Sequence, residues 1–384
     1  MNNRLDKHFK GDRVIWIVVM LLALLSILAV YSSTGTLAYK TQQGNTEYYL
    51  LKHLLILFLG FGLMYLAHLF RYTVYARFAN IVIAVAIPLL LFTLAMGTNR
   101  NEASRWLTLP IINLSFQTSD LAKLALILFV ARALSIRQDN IRDFKSAFIP
   151  IMLPVLITCA LILPANFSTA AVLFATCIIL MLVGRIALKY IASLVGIGIL
   201  VLGLFISISL AIGKEGRITT WAARLETYFG GKEGSDSYQS QQAYIAIAKG
   251  GVVGVGPGNS SQRNFLPHPY SDFIYAIIIE EYGLVGGVMI VILYLVLLFR
   301  AVKIVRNSPK AFATFAAIGC AFSLVFQAMI NMAVTVGLFP VTGQPLPMLS
   351  MGGTSIWFTS IAIGIILSVS RETEEEGGLQ PVAA

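Results

Sequence analysis

The chain has 384 residues, of which 57% are hydrophobic and only 12% charged, and its formal net charge is +10. Soluble domains carry about 25% charged residues, so a soluble globule, a disordered chain, a coiled coil and a secreted disulfide scaffold are excluded. What remains is an all-α polytopic membrane protein, a single integral unit over 1–384 whose core is spread across many apolar helices.

A helix needs about 20 apolar residues to cross the hydrocarbon layer. Ten runs qualify as candidates: 14–31, 50–69, 78–96, 119–134, 147–164, 168–184, 190–212, 272–299, 311–336 and 352–370. The first follows Arg4, Lys7, Lys10 and Arg13 in the manner of a signal peptide. It is longer than a secretory core and lacks a small-residue cleavage site, so it reads as a retained span. Ten spans put both ends of the chain on one side. That side comprises 1–13, 70–77, 132–146, 184–189, 300–310 and 371–384, and it holds 17 of the 28 Lys and Arg residues. The positive-inside rule makes it cytoplasmic. The basic excess is therefore orienting charge, and no Arg/Lys patch with interleaved aromatics points to nucleic acid. Cys159, Cys177 and Cys320 all lie in apolar runs, with neither disulfide nor zinc spacing.

Between the seventh and eighth spans, the long segment 213–271 then faces outward. Ile218, Trp221, Ala222, Leu225, Tyr228 and Phe229 recur at helical spacing, which predicts an amphipathic helix at the headgroup level. A second helix is predicted over Tyr238–Lys249, stopped by Gly250-Gly251. The Glu374–Glu376 run and the Gly/Pro end read as a solvated, mobile end of the cytoplasmic tail 371–384.

Polar groups inside or bordering a membrane are costly, so each is a functional candidate. Asp272 stands where the outer segment becomes the eighth span, and a carboxylate at that rim can serve as a general base. The competing reading is that Ser271 or Asp272 only caps the helix; spacing alone does not separate the two. Glu280 and Glu281 lie about 12–14 Å further along the axis and read as structural pairing inside the bundle. Lys123 in the fourth span is one available partner for them, and Asp120 is a rival partner for that lysine. Gly250–Gly258 invites a phosphate-loop reading, but it lacks the Lys-Ser/Thr ending and faces outward. A backbone nest for a lipid pyrophosphate, or a flexible turn, remains.

In Thr342–Ser355, Pro345 and Pro347 forbid a regular helix. Such backbone at membrane depth must be buried in protein or line a cavity. The last span then starts near Gly352, and its free N–H groups either meet an anionic headgroup or end an ordinary tight connection. Ser323, Gln327, Asn331 and Thr335 form an i, i+4 stripe on the ninth span that suits interhelical hydrogen bonding. His53 and His68 fall in the second span and His8 in the N-terminal tail, without metal-ligand spacing. His268 either competes with Asp272 as a base or is a loop residue fixed between Pro267 and Pro269.

Several separated motifs resemble one family. Phe265-Leu-Pro-His-Pro-Tyr-Ser-Asp-Phe-Ile-Tyr275, Glu280-Glu281-x-Gly283 and Thr342-Gly-x-Pro-Leu-Pro-x-x-Ser-x-Gly-Gly-Thr354 are similar to the SEDS proteins (shape, elongation, division and sporulation) of bacterial cell-wall synthesis. Ser104-Arg-Trp-Leu107, Gln117-Thr-Ser-Asp-Leu-Ala-Lys123, Tyr238-Gln-x-x-Gln-Ala243 and Gln327-x-x-x-Asn331 extend the resemblance over essentially the whole chain. The Asn259–Tyr270 stretch is more similar to division members than to elongation members. Two positions depart from the pattern. Pro164-Ala-Asn-Phe-Ser-Thr169 stands where the family often has Glu-Pro-Asp-Leu-Gly-Thr, keeping Asn166 and Thr169 but no acid. Asp120 replaces the usual glutamate.

The resemblance implies a ten-span fold in the bacterial cytoplasmic (inner) membrane and polymerisation of lipid II into glycan strands on its outer side, here at the division septum. It also implies a divalent cation, Mg2+ or Mn2+, a class B penicillin-binding transpeptidase as partner, and other division membrane proteins around it. Joining sugars from a lipid pyrophosphate needs one base and a cationic or dipolar cradle for the leaving group. Asp272 is the expected base. Lys123, Arg105, Asp120, Gln242, Gln262, His268, Ser350, Gly352 and Gly353 are the candidate substrate-binding residues, and Glu280, Glu281, Gln327 and Asn331 the structural polar ones. No metal ligands can be named from the spacing. The rival classes are a lipid-precursor transporter, built on the broken segment and the buried glutamates, and a non-catalytic division scaffold.

Overall fold

A computed structural model describes residues 10–41, 44–96, 98–100, 103–109, 114–212 and 235–377. Each of the ten apolar runs forms a helix. In chain order the helices are α1 (Arg13–Ser33), α2 (Gly35–Thr41), α3 (Thr46–Leu69), α4 (Tyr72–Met96), α5 (Thr118–Ile136), α6 (Ile149–Ile162), α7 (Phe167–Val183), α8 (Leu188–Ile212), α9 (Ser235–Gly250), α10 (Ile274–Asn307), α11 (Ala311–Thr335) and α12 (Thr354–Gly377). Among the described residues, seven helical segments are long and apolar enough to cross a membrane. The shorter α7 and the apolar part of α8 stand beside them, and α5 carries Asp120, Lys123 and Arg132 among its apolar residues.

Helices α11 and α12 form the middle of the bundle, 67% and 72% buried over their most apolar stretches. Small residues let the helices approach closely, as lipid-immersed packing requires. A Cβ at Gly364 would meet the Met64 carbonyl at 2.5 Å, which brings α12 onto α3. Gly319 of α11 lies against Ile127 of α5 and Leu180 of α7. Exposed Leu51, Leu55, Phe58, Leu284, Val285 and Ile292 clothe the outside, where hydrocarbon rather than water is the fitting solvent.

The bundle has two unlike ends. At the end where the described residues begin at 10 and stop at 377, Asp12 caps α1 by accepting the N–H groups of Val14 (2.9 Å) and Ile15 (3.2 Å). It also accepts Arg300 Nε of α10 at 2.7 Å, while its own N–H donates to Ser370 Oγ of α12 at 2.9 Å. Lys10 pairs with Glu375 at 3.0 Å, and buried Glu372 accepts the Tyr72 N–H at 3.0 Å. Residues 371–377 thus continue α12 past its expected end at 370: Glu372 is buried at the start of α4, while Glu374 and Glu375 are exposed, as the solvated reading of that run has it. Asp12→Ala is expected to lower unfolding free energy by about 1–3 kcal/mol through loss of cap and ion pair, read as earlier thermal unfolding in detergent.

At the opposite end, a three-stranded antiparallel sheet joins α4 to α5, with order β1 (Thr98–Arg100), β2 (Ala103–Leu109), β3 (Leu114–Gln117). Trp106 pairs with Gln117 and Leu107 with Phe116. β3 passes directly into α5, so the sheet aims the first turn of α5 and with it Asp120. Sequence analysis misses this sheet because its strands are three to seven residues long, too short for an alternating pattern to stand out. The helix expected over Ile218–Phe229 lies outside the described residues. The helix expected over Tyr238–Lys249 is present as α9, beginning three residues earlier.

Candidate active site

The polar stripe of α11 faces the irregular segment between α11 and α12. Asn331 Nδ2 donates to the carbonyls of Gln344 (2.6 Å) and Asp272 (2.9 Å), and Gln327 Nε2 donates to that of Pro345 (2.9 Å). Tyr294 of α10 donates to the Pro347 carbonyl. Ser26 Oγ of α1 donates to the Leu349 carbonyl at 2.8 Å and lies 2.8 Å from His53 Nε2 of α3. Prolines remove the regular helix, and side chains from three helices then supply donors that the freed carbonyls would lack. The stripe therefore hydrogen-bonds to irregular backbone as well as helix to helix, the latter through Lys123 of α5 on Gln327, and Thr335 turns back onto the Asn331 carbonyl at 2.9 Å.

This arrangement holds the approach to α10. Ser350 Oγ donates to the Ser271 carbonyl at 2.6 Å, and the Met351 N–H donates to the Tyr270 carbonyl at 2.9 Å. Asp272 is half-buried. Ser271 Oγ donates to its Oδ1 at 2.9 Å, and Gly343, at φ +62°, is so close that a Cβ there would lie 3.6 Å from Oδ2. The capping position of α10 is Phe273, which makes no side-chain cap. The choice that spacing left open is thereby narrowed, since neither Ser271 nor Asp272 occupies the cap position. Burial first, then the charge of Asp272 and the ionisable hydroxyl of Tyr49, push the Tyr270 hydroxyl above its ordinary value.

Lys123 of α5 pairs with Asp120 at 2.8 Å and donates to Gln327 Oε1 at 3.3 Å. Gln327 and Asn331 sit one turn apart on α11, so they connect the Lys123–Asp120 pair to the backbone of Asp272. Asp120 Oδ2 and Asn331 Oδ1 are buried without a hydrogen-bond partner. Gln344 Nε2 donates to Thr169 Oγ1 at 2.6 Å, and Asn166, which replaces an acid of the SEDS pattern, caps α7 through the Thr169 N–H at 3.4 Å.

Glu280 and Glu281 are buried as expected, but Lys123 is not their partner. Glu280 accepts Ser260 Oγ, the N–H (3.0 Å) and Oγ (3.1 Å) of Ser261 and the Gln262 N–H (3.2 Å), with Lys249 Nζ at 3.6 Å. Glu281 accepts Ser32 Oγ of α1, and Arg263 donates to the Ser32 carbonyl at 3.1 Å. Both carboxylates bind the folded-down loop that precedes Asp272. That loop lies far from Glu280 in turn count, and only the tertiary fold reveals the pairing.

The glycine-rich stretch is neither a phosphate nest nor a slack turn. α10 breaks at Gly283, at φ 69° and ψ −172°. The N–H groups of Val255 and Gly256 donate to the carbonyls of Glu280 (2.9 Å) and Glu281 (3.0 Å), and those of Leu284 and Val285 donate back to Gly251 (3.0 Å) and Val252 (3.3 Å). A Cβ on Gly250, Gly254 or Gly283 would sit 2.1–2.2 Å from a facing carbonyl oxygen. Glycine is required because two backbones touch. Residues 274–282 are consequently a separate half-helix, with Asp272 just before its start.

Of the other candidates, Gln262 is buried, with Oε1 lacking a partner. Gln242 is half-buried on α9, and Gly352 and Gly353 are half-buried ahead of α12, which begins at Thr354. His268 is exposed, its Nδ1 3.5 Å from the Tyr270 hydroxyl. Arg105 lies in β2, and its side chain is outside the described residues. Among the described residues no three His, Cys, Asp or Glu side chains gather as a ready-made metal cage.

The family model FTSW_RODA_SPOVE, described as "Cell cycle protein", matches residues 12–375. The chain is 33% identical over 372 residues to "Stage V sporulation protein E" of Bacillus subtilis (strain 168), covering 95% of this chain and 98% of that protein. It is 32% identical over 368 residues to "Probable peptidoglycan glycosyltransferase FtsW" of Coxiella burnetii, covering 94% and 96%. Among solved structures it is similar to a chain from "Structural coordination of polymerization and crosslinking by a peptidoglycan synthase complex", with TM-score 0.73, 25% identity and 94% and 98% coverage. It also shares the fold of the rod shape determining protein RodA of Thermus thermophilus, with TM-score 0.67, 22% identity and 94% and 97% coverage.

Proposed function

The chain belongs to the FtsW/RodA/SpoVE family of cell cycle proteins, and from that membership we propose that it is a peptidoglycan glycosyltransferase that polymerises lipid II. The single observation that carries the reading is Asp272: a half-buried carboxylate, outside the helix-capping position, standing over Gly343 at the end of the bundle opposite the termini.

An acceptor-sugar hydroxyl gives its proton to Asp272 as it attacks the anomeric carbon, and the lipid pyrophosphate departs. The leaving group is already a stable anion, so one base suffices. An α-linked donor and a β-linked product, as the family resemblance implies, make this a single inverting displacement. Lys123 and Arg105 are the cations assigned to the headgroup. A divalent cation, Mg2+ or Mn2+, belongs to the same proposal and would neutralise charge on the phosphates. With no ready-made cage among the described residues, it would be held mainly by those phosphates and one carboxylate, for which Asp120 Oδ2, buried and without a hydrogen-bond partner, is the fitting oxygen.

Fluorescent lipid II in proteoliposomes tests the reading. Glycan ladders are expected, stronger with a class B penicillin-binding transpeptidase present, the partner suggested by the synthase complex among the structural relatives. The chain is assigned to the bacterial inner membrane with both termini cytoplasmic. Its division role, beside other division proteins at the septum, rests on the relative named FtsW, and a fluorescent fusion spread along the side wall would favour the elongation branch. The helix break at Gly283 and the segment around Pro345 also fit a transporter built on interrupted helices. Leaflet exchange without ladders would establish that reading instead, and neither activity would leave a scaffold.

Lys123→Gln is expected to raise the KM for lipid II about tenfold, the worth of one charge-assisted contact. Because it strands Asp120, the Asp120→Asn/Lys123→Gln double variant serves as the folding control. Unchanged rates at all lipid II concentrations would make Lys123 purely structural.

A further inference from the structure

After α9 the chain reads Gly250-Gly251-Val252-Val253-Gly254, without a charge or a polar side chain. At its tip Val252 is 65% and Val253 80% exposed. Two adjacent valines in water would be an odd use of a loop tip. Their height in the molecule resolves the oddity. The tip is bonded to the N–H groups of Leu284 and Val285, which fixes it beside that level of α10. From Leu284 toward the terminal end, α10 has no charged residue until Arg300. That interval is about 24 Å of helix axis, and the hydrocarbon layer is about 30 Å thick. With Arg300 at one boundary, Val252 and Val253 lie inside the opposite leaflet. Leu284, Val285, Val288 and Met289 are exposed on the same stretch, so the tip continues the lipid-facing side of α10.

Irregular backbone at such depth survives only if its polar groups are satisfied. The exchange with the broken helix does this for the carbonyls of Gly251 and Val252 and the N–H groups of Val255 and Gly256, and the Gly254 N–H closes onto the Gly250 carbonyl at 2.8 Å. Lys249, the nearest charged residue along the chain, is directed to Ser261 Oγ at 2.6 Å. We propose that Val252-Val253 is a re-entrant tip immersed in acyl chains of the leaflet at the Asp272 end, anchoring the C-terminal end of α9 in the membrane. The inference does not depend on the polymerase reading.

Full-length Val253→Cys and, separately, Val252→Cys, each labelled with NBD in phosphatidylethanolamine–phosphatidylglycerol vesicles, give the test. The unsubstituted chain, whose three cysteines are buried, is the labelling blank, and His268→Cys is the water-exposed reference. Both sites are exposed, so cysteine leaves the packed backbone intact and either variant alone carries the result. Acyl-brominated lipids are expected to quench both tip labels about threefold more than aqueous iodide does, with the ranking reversed at position 268. Stronger quenching by iodide would overturn the proposal by placing the tip in water. Protection from both quenchers would overturn it too, since another protein surface would then cover the tip.

Discussion

Asp272→Asn is expected to reduce lipid II polymerisation by about 10²–10⁴, the usual loss when a positioned base is removed, while the chain folds and binds substrate. The asparagine keeps the shape of the carboxylate and its carbonyl oxygen can still accept Ser271 Oγ. The contact from Asn331 is to the backbone of Asp272 and does not depend on the side chain. The effect should therefore fall on kcat, with KM for lipid II little changed and thermal unfolding superimposable on the parent. Single-turnover ladders read it directly. Full activity in this variant would remove the base from the mechanism, whatever the fate of the membrane-tip proposal.

The second large effect concerns folding. Gly283→Ala places a methyl group 2.2 Å from the Val252 carbonyl oxygen and 2.6 Å from the Gly254 nitrogen, at a positive φ. Neither neighbour is a flexible side chain, so the backbone crossing must part, and with it the paired hydrogen bonds. Destabilisation of about 3 kcal/mol or more is expected, seen as early unfolding in detergent and protease cleavage near Gly251. Gly62→Ala is the contrast. Nothing lies within 4 Å of a Cβ there, and alanine is the better helix former, so unfolding should be unchanged or slightly later.

The helices were legible because apolar run length reports the bilayer directly: all ten runs are helical, and α9 was visible from its spacing and its Gly-Gly stop. Asp272 was legible as a junction residue, yet the placing of the cap position one residue later, at Phe273, was not. That depends on which residue first takes helical angles, a matter of one position. Glu280 and Glu281 were legible as buried carboxylates, but their partners, Ser260 to Gln262 and Ser32, belong to a loop that folds back and to α1. No periodicity encodes such a contact. Gly250 was visible as a helix stop, Gly254 as part of a candidate nest or turn and Gly283 as a motif position, because a demand for close approach is a property of two backbones at once. The Gln327–Asn331 stripe announced hydrogen bonding, and only the prolines at 345 and 347 hinted that irregular backbone would be its recipient.

The backbone crossing at Gly283 has a mechanical consequence. A slack linker would let α9 drift without disturbing anything below it. Here the four N–H donations and the Glu280 grip on residues 260–262 make α9, its glycine strap and the half-helix 274–282 one stiff lever, pivoting where α10 resumes. A tug applied to α9 from outside is then passed along the lever to its other tip, where Asn331 and Ser350 brace the backbone of Asp272 and Ser271 against it.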